Sequence, residues 1–374
     1  MSSLFIILFI ASILTSIGIH EFGHFITAKR FGIKVHEFFI GFGPRIWSIR
    51  KGETEYGVKG IPLGGYVKIA GMNPLEEISA EDAGRVFKAK KPWKRAIVLG
   101  AGSFTHFVIG LVIIFGILWL AGIPQFSPTN TVSAVSRDTA AQRAGIMVDD
   151  TIVEVDGAAV GTWEEVIEEV QKRGGREVTI IVRRDGRRLA LRPVELDIKP
   201  LEDGRRVGFL GVGPELEQTG LLERGFFPAL GESFKQTGFL ARDSLFAFRE
   251  IFSPSKIAKL FRVAAGDEER GLDDPATLVG VGKIAGDFGT DSDWVGLFSL
   301  IAGFNIFIGV ANLLPLPPLD GGHLAVLAYE KATSRDVDMR KLLPVTATVI
   351  ALFGSLFVLL LFLDIARPLP NLPG

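Results

Sequence analysis

The sequence predicts an α-helical integral membrane protein with four transmembrane helices, a membrane-associated β-region and an extracytoplasmic α+β domain. Three observations carry that prediction. Stretches near 4–28, 95–122, 293–320 and 341–364 are almost free of charge between their ends and reach the ~20 residues that an apolar helix needs to cross a bilayer. Lysine and arginine gather in the loops beside them. Residues 128–214, in contrast, are polar, with short β-prone runs separated by Gly and Asp-Gly turn signals.

Composition agrees. Of 374 residues, 48% are hydrophobic and 29 are Phe, while the formal charge of −1 conceals strong segregation. Lys29, Arg30, Lys34, Arg45, Arg50 and Lys51 follow the first stretch, and Lys88, Lys90, Lys91, Lys94 and Arg95 precede the second. Lys331, Arg335, Arg340 and Lys341 separate the third from the fourth. The positive-inside rule makes both basic loops cytoplasmic, which puts both termini and the polar middle region outside. Basic clusters that orient spans leave nucleic-acid binding without support. With no cysteine in the chain, disulfides and thiolate-bound zinc are excluded.

The first span lies within residues 1–34. It lacks a basic start and is followed by Lys29-Arg30, the reverse of a secretory signal. Its one formally charged side chain before Lys29 is Glu21, inside His20-Glu21-Phe22-Gly23-His24. On a helix, His20 and His24 stand one turn apart on one face, as two imidazole ligands of a tetrahedral zinc require. Glu21 beside them is placed to take a proton from a zinc-activated water. The H-E-x-x-H pattern as a whole points to zinc-assisted peptide hydrolysis. An ionisable cluster at membrane depth is costly, which itself argues for function.

Residues 35–94 read as a cytoplasmic-side β-region and a basic loop. The runs Ile46-Trp47-Ser48-Ile49, Thr54-Glu55-Tyr56-Gly57-Val58 and Tyr66-Val67-Lys68-Ile69, punctuated by Gly and Pro, predict small hairpins. Their aromatic density favours a sheet that dips into the membrane face, where it lines a protein cavity. Residues 95–124 form the second span.

Within 128–214 the predicted order is a strand at 131–135, a helix at 140–144 closed by Gly145, and a strand at 151–155 ending in Asp156-Gly157. A helix at 163–171 and a strand at 178–182, closed by an Asp185-Gly186 hairpin, follow. That order resembles a bacterial PDZ domain, a module that binds peptide ends by strand addition. In 215–292, Phe227, Leu230, Phe234, Ala241, Leu245, Phe248 and Phe252 recur at helical spacing. They predict an amphipathic helix, either on the outer membrane face or beneath the PDZ-like domain, and then a linker with a charged, mobile loop at 267–274.

Residues 293–374 hold the third and fourth spans. Pro315, Pro317 and Pro318 break the third and free backbone groups at membrane depth, as expected where the chain shapes a site. Asp320, just beyond, can supply a third zinc ligand and leave one position for water. His20 and Asp320 each come late in a segment running from outside to inside, so they share a depth.

Together, His20-Glu21-x-x-His24 and Asn312-x-x-Pro315-x-Pro317-x-x-Asp320-Gly321 resemble the site-2 protease family of intramembrane zinc proteases. Gly41-Phe42-Gly43-Pro44, Pro62-Leu63-Gly64-Gly65-Tyr66-Val67-Lys68 and the single PDZ-like insertion resemble its RseP-type bacterial branch. The resemblance implies one Zn2+ per chain and cleavage of a single-pass transmembrane protein, often an anti-sigma factor first trimmed outside by a site-1 protease. It implies that Asn312 handles substrate and that a β-element near 46–69 pairs with the unwound substrate, with Tyr56, Val58 and Val67 as candidates. Many members carry Gly-x-x-x-Asn in the second span, where this chain has Gly102-Ser103-Phe104-Thr105-His106. His106 is expected to pack or hydrogen-bond, His323 to support Asp320 from behind, and His36 has no evident partner.

The sequence therefore reads as a metalloprotease of the bacterial cell membrane, active near the cytoplasmic side. His20, His24 and Asp320 hold zinc, Glu21 is the base, and the PDZ-like domain meets a peptide end or an outer domain of the substrate. A catalytically inactive scaffold is disfavoured by the intact Glu21 and ligand set. A metal transporter fits a glutamate between paired histidines less well.

Overall fold

The computed structural model describes the chain except residues 74–75, 137–138, 201–205, 223–224, 272–273, 291 and 371–374. In chain order, helix α1 (Ser2–Arg30) leads to strands β1 (Val35–Lys51) and β2 (Thr54–Ile69) and to α2 (Pro92–Gly116). Then come β3 (Ile123–Val135), α3 (Ala140–Ala144), β4 (Thr151–Val155), β5 (Ala158–Ala159) and α4 (Trp163–Gln171). Short strands follow: β6 (Glu177–Val178), β7 (Ile180–Arg184), β8 (Arg187–Ala190), β9 (Val194–Glu195), β10 (Asp197–Pro200), β11 (Arg206–Phe209) and the longer β12 (Val212–Leu222). Six helices complete the chain: α5 (Phe226–Ile251), α6 (Pro254–Ala265), α7 (Leu278–Thr290), α8 (Trp294–Asn312), α9 (Asp320–Thr333) and α10 (Leu343–Ala366). Two compact units result, one from Met1–Ala121 with Arg224–Gly374 and one from Gly122–Glu223.

In the larger unit, four helices are long and apolar enough to cross a membrane: Ser2–Arg30, Pro92–Leu120, Trp294–Asn312 and Arg340–Ala366. On α1 the buried stripe runs Phe5, Phe9, Ile13, Ser16, His20, His24, so the two histidines continue the core-facing side of the helix. Small residues bring the spans together. A Cβ at Gly23 would lie 2.7 Å from the Ala101 carbonyl oxygen, and one at Gly110 would lie 2.6 Å from Ile306.

Two expectations for 215–292 change. Helix α5 packs on α2 and α8, with Phe248 stacked on Phe307 at 4.6 Å and Phe226 edge-on to Phe115 at 5.2 Å. It therefore lies within the larger unit, and its other face exposes Phe227, Phe234, Phe239 and Phe246. The supposed linker contains α6 and α7, and α7 runs along the start of α1, where a Cβ at Gly289 would come within 2.7 Å of Ser2. In the charged loop, whose Leu272 and Asp273 lie outside the described residues, two side chains are tied down by ion pairs. Asp274 is buried against Lys256 and Lys259, each at 2.9 Å, and Arg270 pairs with Asp364 of α10 at 2.7 Å. Charges buried in this way persist only when paired.

The β-region is one bent sheet. Residues 35–42 of β1 lie between 65–69 and 56–61 of β2, while 54–58 of β2 also pair with 47–51 of β1. Gly41 and Gly43, at φ +89° and +80°, turn β1 without ending it. Val58 therefore faces Ile40 on one side and Trp47 on the other, and Tyr56 is likewise interior. Neither is on an edge; Val67, paired among the described residues only with Phe38, is.

The smaller unit is a sheet in the order β12-β3-β4-β7-β8, with β5 on β4 and two small ladders beside it. Its core gathers Val132, Ile152, Val155, Trp163, Val166, Val170, Ile180 and Val182. A capping box between Thr162 and Glu165 starts α4. Asp150 is buried, and Arg184 grips it at 2.7 and 2.8 Å. Burial alone would raise this carboxyl, but Arg184 and the Met147 N–H outweigh it and hold it below the usual carboxylate range. Such a group stabilises the fold above its unfolded pKa of about 3.9 and loses that contribution as pH falls through the lower, folded value. Arg184→Met should destabilise this unit by about 3 kcal/mol at pH 7. Hydrogen exchange of β4 and β7 in the full chain should show the gap from the unaltered protein narrowing as pH falls, because the stranded carboxyl, raised by burial once Arg184 is gone, takes up a proton before the unfolded one does.

Candidate metal centre

His24 Nδ1 donates to the Val98 carbonyl at 2.7 Å, which fixes the ring proton there and leaves a lone pair on Nε2. That lone pair faces His20 Nε2 at 3.1 Å and Asp320 Oδ2 at 3.2 Å, and Oδ2 lies 3.4 Å from His20 Nε2. All three ligand-type atoms sit within 4.8 Å of one another, and both histidines are 8% exposed. Acceptor atoms crowded together in a buried site repel one another unless they share a cation. Two imidazole nitrogens and one carboxylate oxygen form a donor set that suits zinc and leaves a coordination position open. Gly102 of α2 keeps the cradle clear: a Cβ there would strike His24 Nε2 and approach His20 Cε1 and Nε2 to 2.6 and 2.7 Å.

Asp320 reaches the cradle because the chain between α8 and α9 folds on itself, with the Leu316 N–H donating to Leu314 at 2.7 Å and that of Leu319 to Leu316 at 2.9 Å. The carboxylate opens α9, where the helix dipole favours negative charge. Gly321 and Gly322 are required by contact. Their Cβ atoms would run into the Leu313 and Leu314 carbonyls and come within 2.6 Å of Pro317 N.

Glu21 is half-buried one residue from His20, and the open-edged segment 65–69 passes beside it. A Cβ at Gly65 would lie 2.9 Å from Glu21 Cγ. Asn312 is half-buried at the last residue of α8; among the described residues, no hydrogen bond joins it to His20, His24 or Asp320. His36, which had no evident partner in sequence, pairs with Glu76 at 2.9 Å. His323 forms no hydrogen bond to Asp320 among the described residues and lines a cavity of about 30 Å³ with Arg95 and Glu330.

Sequence reasoning missed Asn305. The signal was a lone amide in the middle of an apolar span. Its Nδ2 donates to the Ile301 carbonyl at 2.8 Å, so Oδ1 accepts from His106 Nδ1 at 3.0 Å. Both side chains are buried, and the His106 ring lies 5.0 Å from that of His20. This contact holds α1, α2 and α8 in register behind the cradle. Asn305→Leu should shorten the half-time of zinc loss to a chelator by about tenfold, and adding His106→Phe should change it little further. Additive losses would show that the pair does not act as a unit.

The match of residues 8–361 to the model of peptidase family M50 accords with this geometry. Zinc metalloprotease Rip1 of Mycobacterium tuberculosis is 34% identical over 400 residues, covering 97% of this chain and 98% of that protein. Rip1 of Mycolicibacterium smegmatis is 34% identical over 414 residues with the same coverage of both chains. From a family match over nearly the whole length and relatives aligned almost completely, the chain belongs to peptidase family M50, the site-2 protease family, and is a zinc metalloprotease with several membrane-spanning helices.

Proposed function

We propose that His20, His24 and Asp320 hold the zinc, that Glu21 is the general base, and that the substrate is a membrane-spanning segment of a single-pass protein. The position of Glu21, between the ligand cluster and a sheet edge that is unpaired among the described residues, carries this reading. A spanning helix hides its amides in i to i−4 hydrogen bonds, so its scissile bond is reached only after local opening. Opening strands backbone groups at a cost of several kcal/mol each, and the edge at 65–69 offers them partners by strand addition. Glu21 Oε takes the proton of the attacking water and returns it to the leaving nitrogen. Zinc, when bound, activates that water and polarises the scissile carbonyl.

The basic loops support a site near the cytoplasmic side of a bacterial cell membrane, with both termini and the smaller unit outside. An anti-sigma factor already cut outside by a site-1 protease is the substrate type that this arrangement suits, with Asn312 contacting it at the mouth of the site. The smaller unit is a PDZ-type domain. Its element order supports that assignment, as does an apolar cleft of about 330 Å³ between α4 and 208–214, where Val166, Ile167, Val170, Phe209 and Val212 receive a peptide end.

Purified protein should cut a single-span substrate within its membrane segment. Val67→Pro should lower that rate at least tenfold with zinc content unchanged, and helix-breaking residues in the substrate should restore part of it. Val58→Pro, in the interior of the sheet, should instead reduce the yield of folded protein. Full activity of a well-folded Val67→Pro protein would remove the edge from the mechanism.

A further inference from the structure

Two clefts of unlike chemistry share helix α4. The apolar one was assigned above to a peptide's end. The other, about 970 Å³, opens at the N-terminal end of α4 and along β12, where Thr129, Asn130 and Thr162 line it with Glu164, Glu215 and Glu217. β12 walls both clefts, through Val212 and Pro214 in the first and Glu215 to Glu217 in the second. Among the described residues it is also the terminal strand of its sheet, paired with β3 alone.

The charge in the second cleft is unbalanced. Several other acidic groups of the unit are matched, Asp150 by Arg184, Glu154 by Arg188, Glu169 by Arg173 and Asp197 by Arg143. Among the described residues, no cation pairs with Glu164, Glu215 or Glu217, and all three side chains are exposed. A peptide whose end lies near Gly211 and whose chain runs along β12 passes Pro214 into this cleft. At roughly 3.3 Å per residue, the span from Val212 to Glu217 corresponds to about five residues of extended peptide.

We propose that the second cleft receives basic side chains, so that the unit selects an extended segment carrying Lys or Arg about four to seven residues before an apolar carboxy terminus. The inference rests on the apolar cleft holding the peptide end. Exposed pairs of this kind contribute modestly one by one, and they act together here because the three carboxylates face one cleft.

The test uses the full chain as Glu21→Gln in neutral detergent, with fluorescent decapeptides ending in a free valine carboxylate. Three peptides differ only at positions five to seven from the end, which are Lys, Ser or Glu. Anisotropy titrations should give the lysine peptide about five- to tenfold tighter binding than the serine peptide at low salt, the glutamate peptide the weakest, and a spread that collapses in 0.5 M salt. Combined Glu164→Gln, Glu215→Gln and Glu217→Gln should erase the spread and leave the serine peptide unaffected. Equal binding of the three peptides, or a lysine preference that survives the triple change, overturns the inference while leaving the apolar cleft's role standing. Failure of every peptide, or binding untouched by Val166→Asp in the apolar cleft, overturns that role and the inference with it.

Discussion

Glu21→Gln protein should retain one zinc per chain and lose turnover by about a thousandfold, whereas Asp320→Ala should lose both. The contrast follows from what each carboxylate touches. Asp320 Oδ2 sits 3.2 and 3.4 Å from the two imidazole Nε2 atoms, so its removal leaves two ligands where catalytic zinc uses three. Glu21 lies outside that trio, against Gly65, and its amide analogue keeps the shape but cannot accept a proton. Removing a general base costs roughly 10²–10⁴ in rate. Metal analysis of both purified variants, beside cleavage of one single-span substrate, separates the roles. Stoichiometric zinc and normal cleavage in Asp320→Ala would disprove the third-ligand assignment, and unaltered turnover in Glu21→Gln would disprove the base.

Adding one methyl group at Gly102 should be almost as damaging. Its Cβ would occupy the space between the imidazoles, within 2.6 and 2.7 Å of His20 Cε1 and Nε2 and against His24 Nε2. His24 is also tied to the Val98 carbonyl at 2.7 Å, so it yields only by breaking that hydrogen bond. Misplacing a reacting group by about 1 Å costs on the order of 100-fold, and the same displacement spoils the ligand geometry. Gly102→Ala should therefore lose about 100-fold in activity and shed zinc on dialysis, with its helical circular dichroism intact. Gly100→Ala is the matched control, since a Cβ there meets nothing within 4 Å. Equal zinc retention by the two variants would show that Gly102 does not guard the cradle.

The spans and the shared face of His20 and His24 were legible because each is written locally. An unbroken apolar run admits little besides a helix, and the i, i+4 histidines share a face whatever surrounds them. The β-region was legible in kind but not in pairing. Gly41 and Gly43 take positive φ and bend a continuing strand, which puts the candidate Val58 in the interior of the sheet and leaves Val67 at its edge. Helix α7 was read as a linker because Gly280, Gly282, Gly286 and Gly289 lower helix propensity; close packing along α1 overrides that preference. Arg270 looked free because its ionic partner Asp364 lies far along the chain. Asn305 was passed over for the same reason, its contact with His106 being visible only in three dimensions.

The ladder that opens and closes the smaller unit has a bearing on ancestry and engineering. Ile123, its first strand residue, pairs directly with Leu222, its last, so the chain enters and leaves at one spot. A segment whose two ends already touch is a cassette. Its insertion splits the host at a single bond and imposes almost no closure entropy on it. Lineages can exchange or lengthen such a cassette without rewriting the helices on either side. A protein engineer can likewise replace residues 123–222 with another hairpin-ended domain and leave the membrane unit's own sequence untouched.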